Sequence, residues 1–255
     1  MIIFRDVHKG FGHKHVLQGF SLEVRDGETM VILGYSGGGK SVALKHIVGL
    51  LEPDEGEVEV DGEIVHQLDQ ERLMALRSQI GFVFQFAALL DSMTVRDNIA
   101  LGLKKQRLPE DDIAQRVQES LALVDLAGTE ERYPAELSGG MRKRVGLARA
   151  IALRPRYILY DEPTTGLDPV TSAVIDQLIV RAKHKLGVTG VVVTHDMRTA
   201  YTVGDRIAML YRGRVRQVGT VEEIQRTHDA AVRQFIEGRP EAAADAEASV
   251  TGAVW

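Results

Sequence analysis

Apolar residues along this chain follow two rhythms, and each switch between them marks a change of element. Ile2 to Val7 and Val16 to Val24 alternate apolar and polar positions, as half-buried strands do. Thr29-Met30-Val31-Ile32-Leu33 is instead a continuous apolar run entered through the turn Asp26-Gly27, and it predicts a fully buried strand. Beyond Pro53-Asp54-Glu55-Gly56, residues 57–64 predict a hairpin turning at Asp61-Gly62. Residues 69–79 predict a helix, and Gly81-Phe82-Val83-Phe84 a short buried strand ending at Gln85. From Phe86 to about Tyr133 strand patterning stops, and Ile113, Val117, Leu121 and Val124 form a stripe at helical spacing. Another helix opens at Leu137-Ser138-Gly139-Gly140-Met141, with Val145, Ala148, Ile151 and Ala152 on its inner face. Apolar runs return at Tyr157–Tyr160 and Val191–Val193, each ending in polar residues. Asp205–Leu210 and Arg214–Gly219 predict a closing hairpin, and Val221–Ile236 a terminal helix.

This succession predicts an α/β protein over residues 1–238, with a mixed or parallel sheet core and an N-terminal antiparallel β subdomain. A helical subdomain, about residues 86–155, is inserted in that core. Residues 239–255 form an acidic, alanine-rich tail that ends in the chain's single tryptophan, Trp255. So little apolar surface predicts disorder, whereas the helix-forming alanines and the terminal aromatic suggest an anchor to a second subunit; both stay open.

Bulk composition narrows the picture only a little. A length of 255 residues suffices for one large α/β domain or two small ones. A net charge of −5 argues against a nucleic-acid-binding surface as the main function. The absence of cysteine excludes disulfides, zinc–thiolate sites and thiol catalysis. No apolar run approaches membrane-spanning length and the N-terminus lacks a signal pattern, so the chain alone is expected neither to cross a membrane nor to be secreted.

The chemistry centres on Gly34-Tyr35-Ser36-Gly37-Gly38-Gly39-Lys40-Ser41. A buried strand precedes it, and Leu44, Ile47, Val48 and Leu51 follow at helical spacing. Glycines there let backbone N–H groups curl round a phosphate while the new helix points its positive end at the same spot. Lys40 can reach the outer phosphates, and the Ser41 hydroxyl can ligate Mg²⁺. Phe11, between glycines, either stacks on an adenine face with Val16 as apolar neighbour or plugs the sheet edge. Asp161 and Glu162 end a buried strand, where two acids are costly unless water or a cation meets them; in a phosphate-loop fold Asp161 would hold Mg²⁺ and Glu162 would polarise a water. His195 ends the Val191–Val193 strand in the same manner. The basic run Arg142-Lys143-Arg144 reads as a solvated face.

Taken as an ordered set, these motifs resemble the ATP-binding subunit of ABC transporters across about residues 1–238. Leu137-Ser138-Gly139-Gly140 just before Tyr157–Glu162 narrows a generic phosphate loop to that family. The resemblance implies a P-loop NTPase fold of ABC type and an ATPase using ATP and Mg²⁺. It makes Phe11 the adenine-stacking aromatic, Gln85 the Q-loop glutamine that touches the metal and takes part in catalysis, Asp161 the Walker B aspartate, Glu162 the general base and His195 the switch histidine. Gly166-Leu167-Asp168 falls at the D-loop. It further implies that Ser138, Gly139 and Gly140 of a second copy cap the nucleotide held by Lys40 and Ser41, with membrane permease subunits as partners on the cytoplasmic side of the bacterial inner membrane. About 95 residues separate Ser41 from Leu137, too few for the long coiled coil of chromosome-organising relatives, and one cassette is present where ribosome-acting relatives carry two. Met141 departs from the family's usual glutamine. Together with Gly39-Lys40-Ser41-Val42 it resembles the ATPases of Mla/Mce-type lipid transporters, which implies a lipid-binding Mce-domain protein and a small cytoplasmic accessory subunit as further partners. An ATPase of a small-solute importer is the competing expectation.

Overall fold

The computed structural model describes residues 1–239, and the expectations for the tail beyond Arg239 lie outside the described residues. The chain divides into two compact units, one of Met1–Leu73 with the chain from Val193 onward, the other of Met74–Val192.

In the first unit β1 (Ile2–Phe11) and β2 (Lys14–Val24) pair antiparallel, with Ile2 opposite Val24 and Phe4 opposite Leu22. Their alternation buries Ile2, Phe4 and Val7 against Phe20, Leu22 and Val24, and the Phe4 and Phe20 rings meet edge to face at 5.0 Å. Next come β3 (Thr29–Gly34), buried at every position, and α1 (Lys40–Ile47). On the other edge of β1 lie β4 (Glu55–Val60) and β5 (Glu63–Ile64), giving a sheet ordered β2-β1-β4-β5. The hairpin between them turns at Asp61-Gly62, where both residues have positive φ (52° and 85°), the conformation a two-residue turn of this kind requires. The chain leaves this unit within α2 (Gln70–Ser78).

The second unit contains β6 (Ile80–Val83), α3 (Val95–Lys105), α4 (Glu110–Leu123), α5 (Gly139–Ala152), β7 (Tyr157–Asp161) and α6 (Pro169–Leu186). Strands β6 and β7 run parallel, with Ile80 beside Tyr157 and Val83 beside Tyr160. Helix α5 packs on α3 and α4, and its inner residues Val145, Ala148, Ile151 and Ala152 are buried, as their spacing predicts. Ile113, Val117 and Leu121 are buried along α4. Buried Asn98 fixes the loop before α3 by donating to the carbonyls of Leu90, Met93 and Thr94 at 3.0–3.1 Å. This unit is wider than the helical insert outlined by periodicity, because it holds β6, β7 and α6 as well.

Strand β8 (Thr189–Thr194) starts in the second unit and ends in the first. The first unit is then completed by α7 (Met197–Val203), β9 (Arg206–Tyr211), β10 (Arg214–Thr220), α8 (Val221–Gln225) and α9 (Ala230–Ile236). Strand β9 lies parallel to β3, Met30 beside Arg206, and β10 is antiparallel to β9. The predicted single helix Val221–Ile236 is thus two. Thr220 and Glu223 form a capping box that starts α8, while the Asp229 carboxylate accepts from the N–H groups of Ala231 and Val232 and starts a new helix. Among the described residues, no helix is long and apolar enough to cross a membrane.

Candidate active site

In the first unit β3 delivers the chain into the loop Gly34–Ser41. Gly37 and Gly39 adopt φ of 75° and 101°, and the Gly38 N–H donates to the Tyr35 carbonyl at 3.1 Å to close the turn. A Cβ at Gly39 would come within 2.9 Å of Val16 Cγ1, so Val16 lies directly against the loop. Gly39 is also the N-cap of α1 and has no side chain to satisfy the first-turn N–H groups, which favours an anion there. Lys40 is buried, and its Nζ donates to the carbonyls of Gly34 (2.8 Å) and Tyr35 (3.0 Å), spanning the loop. The Tyr35 ring is packed edge-on against Phe235 of α9 at 4.7 Å. Ser36 is exposed and Ser41 half-buried. Phe11 stands exposed at the end of β1, with the Lys9 ammonium 5.8 Å from its ring. His195 is exposed immediately after β8, and Asp196 beside it caps α7 by accepting from the Arg198 N–H at 2.7 Å.

In the second unit β7 runs through four buried residues to half-buried Asp161 and then to Glu162, only 8% exposed. Glu162 has a left-handed backbone, φ 49°, uncommon for a residue with a side chain. The Thr165 hydroxyl donates to Glu162 Oε2 at 3.1 Å, and the Thr165 N–H to the Glu162 carbonyl at 3.2 Å. Lys143 of α5 donates to the carbonyls of Thr165 (2.7 Å), Pro163 (2.9 Å) and Glu162 (3.4 Å). Burial pulls the Lys143 ammonium down to about 8, with the Glu162 charge opposing. Farther along, the Asp168 carboxylate caps α6, accepting from the N–H groups of Val170 and Thr171 at 3.0 Å. The Thr171 hydroxyl and N–H hold its carboxyl below the usual range. At the start of α5, the Ser138 hydroxyl accepts from the Met141 N–H at 3.2 Å, leaving Ser138 and Gly139 exposed and Gly140 buried against Thr171. These residues line an open groove with Gly166, Leu167 and Asp168. Gln85 is half-buried just after β6.

The ABC transporter family profile matches residues 17–165, more than half of the chain and including both Lys40 and Glu162. This chain belongs to the ABC transporter family. The cassette is 42% identical over 232 residues to the probable ribonucleotide transport ATP-binding protein mkl of Mycobacterium tuberculosis, a match covering 91% of this chain. It spans only 65% of that relative's length. It is also 42% identical, over 93% of its own length and 74% of the relative's, to the chloroplastic protein trigalactosyldiacylglycerol 3 of Arabidopsis thaliana. Among solved structures it superposes on a dimeric ATP-binding cassette in a post-hydrolysis state bound to ADP and Pi, with a TM-score of 0.79 and 35% identity. That match covers 87% of this chain and 99% of the other.

The first unit's loop suits a phosphate group by its own geometry. A Cβ at Gly37 would meet nothing within 4 Å, so the cradle is open on that side, and a buried ammonium spans it. Within the first unit the cassette thus gathers Val16, Gly34–Ser41 and the unpredicted Phe235. Within the second it gathers Asp161, Glu162 and the unpredicted Lys143 and Thr165. The basic run is only in part the solvated face expected of it: Arg142 is exposed, but Lys143 and Arg144 are half-buried, and all three donate to main-chain carbonyls. Arg142 donates to the Leu137 carbonyl at 3.1 Å, Lys143 to the three carbonyls above, and Arg144 to those of Val124 and Asp125 at 3.4 and 3.2 Å. Arg149, a further two turns along α5, grips the carbonyls of Ala87 and Ala88 after Gln85 at 2.6 Å each. Carbonyl acceptors leave no trace in side-chain patterning, which is why the run alone could not disclose its partners.

Proposed function

We propose that this cassette is the ATP-hydrolysing subunit of a membrane transporter, acts as a pair of identical copies, and powers movement of phospholipid or a related lipid. The observation that carries the hydrolytic part is a nearly buried carboxylate, Glu162, at the end of β7, in a chain whose Lys40 spans a glycine cradle. Lys40 and the loop N–H groups bind the phosphates, and Phe11, with Val16, stacks on the adenine. Ser41, Asp161 and Gln85 offer oxygen ligands suited to Mg²⁺, which when bound neutralises charge on the phosphates. Ser138, Gly139 and Gly140 of the second copy cap the γ-phosphate with a helix start. Glu162 accepts a proton from water as that water's oxygen bonds to the γ-phosphorus and the bond to ADP breaks. His195 donates to the γ-phosphate oxygens, where charge accumulates. Residues 86–155 meet a permease at the cytoplasmic face of the bacterial inner membrane, with an Mce-domain protein and a small accessory subunit as further partners.

The lipid cargo is supported by Met141 in the signature, by Val42 after Ser41, and by a relative whose name carries a galactolipid. A small-solute cargo has the name of the mycobacterial relative in its favour. Purifying the tagged chain from detergent-solubilised membranes and identifying the integral protein that accompanies it separates the two. A permease with an Mce-domain partner, whose ATPase rate rises with added phospholipid, is expected. A permease dependent on a small-solute-binding protein would overturn the lipid reading.

A further inference from the structure

We infer that Lys143 is a positioning residue, holding from α5 the loop that aims Glu162 at its water. The inference rests on Glu162 being the general base, as proposed above, and adds the residue that keeps it in place. A residue with a Cβ resists the left-handed conformation that Glu162 adopts (φ 49°), and such a backbone persists only where its surroundings over-determine it. Next in the chain is Pro163, which has no N–H to contribute to a stabilising turn. Within the loop, Thr165 returns its N–H and its hydroxyl to Glu162, and the Leu167 N–H closes onto the Thr164 carbonyl.

Lys143 adds support from a separate element, α5. Its ammonium has three protons, and three carbonyls of this loop stand at 2.7, 2.9 and 3.4 Å from Nζ. Those carbonyls belong to Glu162, Pro163 and Thr165, so one charged group fixes three peptide planes on the C-terminal side of the strained residue. Charge-assisted bonds of this kind are stronger than those between neutral partners. The stem of Lys143 comes from the second turn of α5, a helix anchored at its far end by Arg149 on Ala87 and Ala88 and packed on α3 and α4. The support is therefore rigid, as orientation of a catalytic group demands.

The chain has no cysteine, so Lys143→Cys gives a single thiol that 2-bromoethylamine converts to an aminoethyl side chain of lysine's length and charge. Steady-state ATP hydrolysis by the full chain is measured for Lys143→Met, Lys143→Cys, alkylated Lys143→Cys and Glu162→Gln, with thermal unfolding of each. Lys143→Met and Lys143→Cys are expected to lower kcat by about 10–100-fold with KM for ATP within about twofold, and alkylation to restore most of the rate. Lys143→Gln, which keeps an N–H donor, replaces Lys143→Met should that variant not fold. Parent-like kcat in the Lys143 variants, or a loss shared by kcat and KM that alkylation leaves unrepaired, overturns the inference while Glu162→Gln still loses activity. If Glu162→Gln retains the parent rate, the base assignment fails and the inference fails with it.

Discussion

The loop from Gly34 to Ser41 takes its shape from its own residues, whereas the loop from Glu162 to Thr165 depends on a lysine from another helix. In the first, positive φ at Gly37 and Gly39, the Gly38-to-Tyr35 turn and Lys40 itself are all contiguous in the chain. In the second, a non-glycine residue holds a left-handed backbone, and Lys143 donates to carbonyls 19 to 22 positions away. A phosphate cradle can be preformed by glycine because its ligand is bound by backbone N–H groups. A general base needs its side chain aimed, and a residue that must keep its side chain has to be held by others.

Breaking either region should therefore have different signatures. The largest effect is expected from Ser138→Arg, which places bulk and charge where the partner copy's nucleotide would sit. Turnover should be lost while ATP binding to the isolated subunit stays intact; fluorescence titration with an ATP analogue would reveal weakened monomer binding if the contact were within one chain. The lost N-cap of α5 costs about 1 kcal/mol, too little to unfold the cassette. Lys40→Ala comes next. It removes the only side-chain cation built into the self-contained loop, and should weaken ATP binding and turnover together by about 10²–10³-fold, measured by calorimetry and phosphate release.

Phe235→Ala sharpens the contrast, since it asks whether the phosphate loop is as self-sufficient as its sequence suggests. Loss of the edge-on contact with Tyr35 should lower stability by about 0.5–1.5 kcal/mol in denaturant unfolding. ATP affinity should fall by about tenfold at most, the same energy expressed as binding. The smallest effect concerns pH. Lys143 is held at about 8 in the folded chain against 10.5 when free. Between those values the unfolded chain carries the proton and the folded chain has given it up, so this group makes stability rise with pH across that window. Lys143→Met should flatten the rise when unfolding is compared at about pH 7.5 and about pH 9.5.

How much could be read in advance follows the same division. Strands β3, β7 and β8 announced themselves as short apolar runs, and the glycine cradle was legible because its determinants are adjacent. The break between α8 and α9 was written in Thr220, Glu223 and Asp229, but Val221, Ile224, Ala231, Val232 and Phe235 stay in phase at helical spacing across the polar stretch 225–229, which outweighed those caps. Arg142, Lys143 and Arg144 looked solvated because their acceptors are main-chain carbonyls of Leu137, Glu162, Pro163, Thr165, Val124 and Asp125, which any sequence would supply. Phe235 gave no hint either, since its value lies in meeting Tyr35 two hundred positions earlier.

The most direct measurement is phosphate release by Glu162→Gln beside the parent chain at saturating ATP and Mg²⁺, paired with nucleotide retention and dimer content on gel filtration. Loss of a general base should lower turnover by about 10²–10⁴-fold while ATP stays bound and the dimer persists. Parent-like turnover, or loss of ATP binding in step with turnover, would contradict Glu162 as the group that activates water.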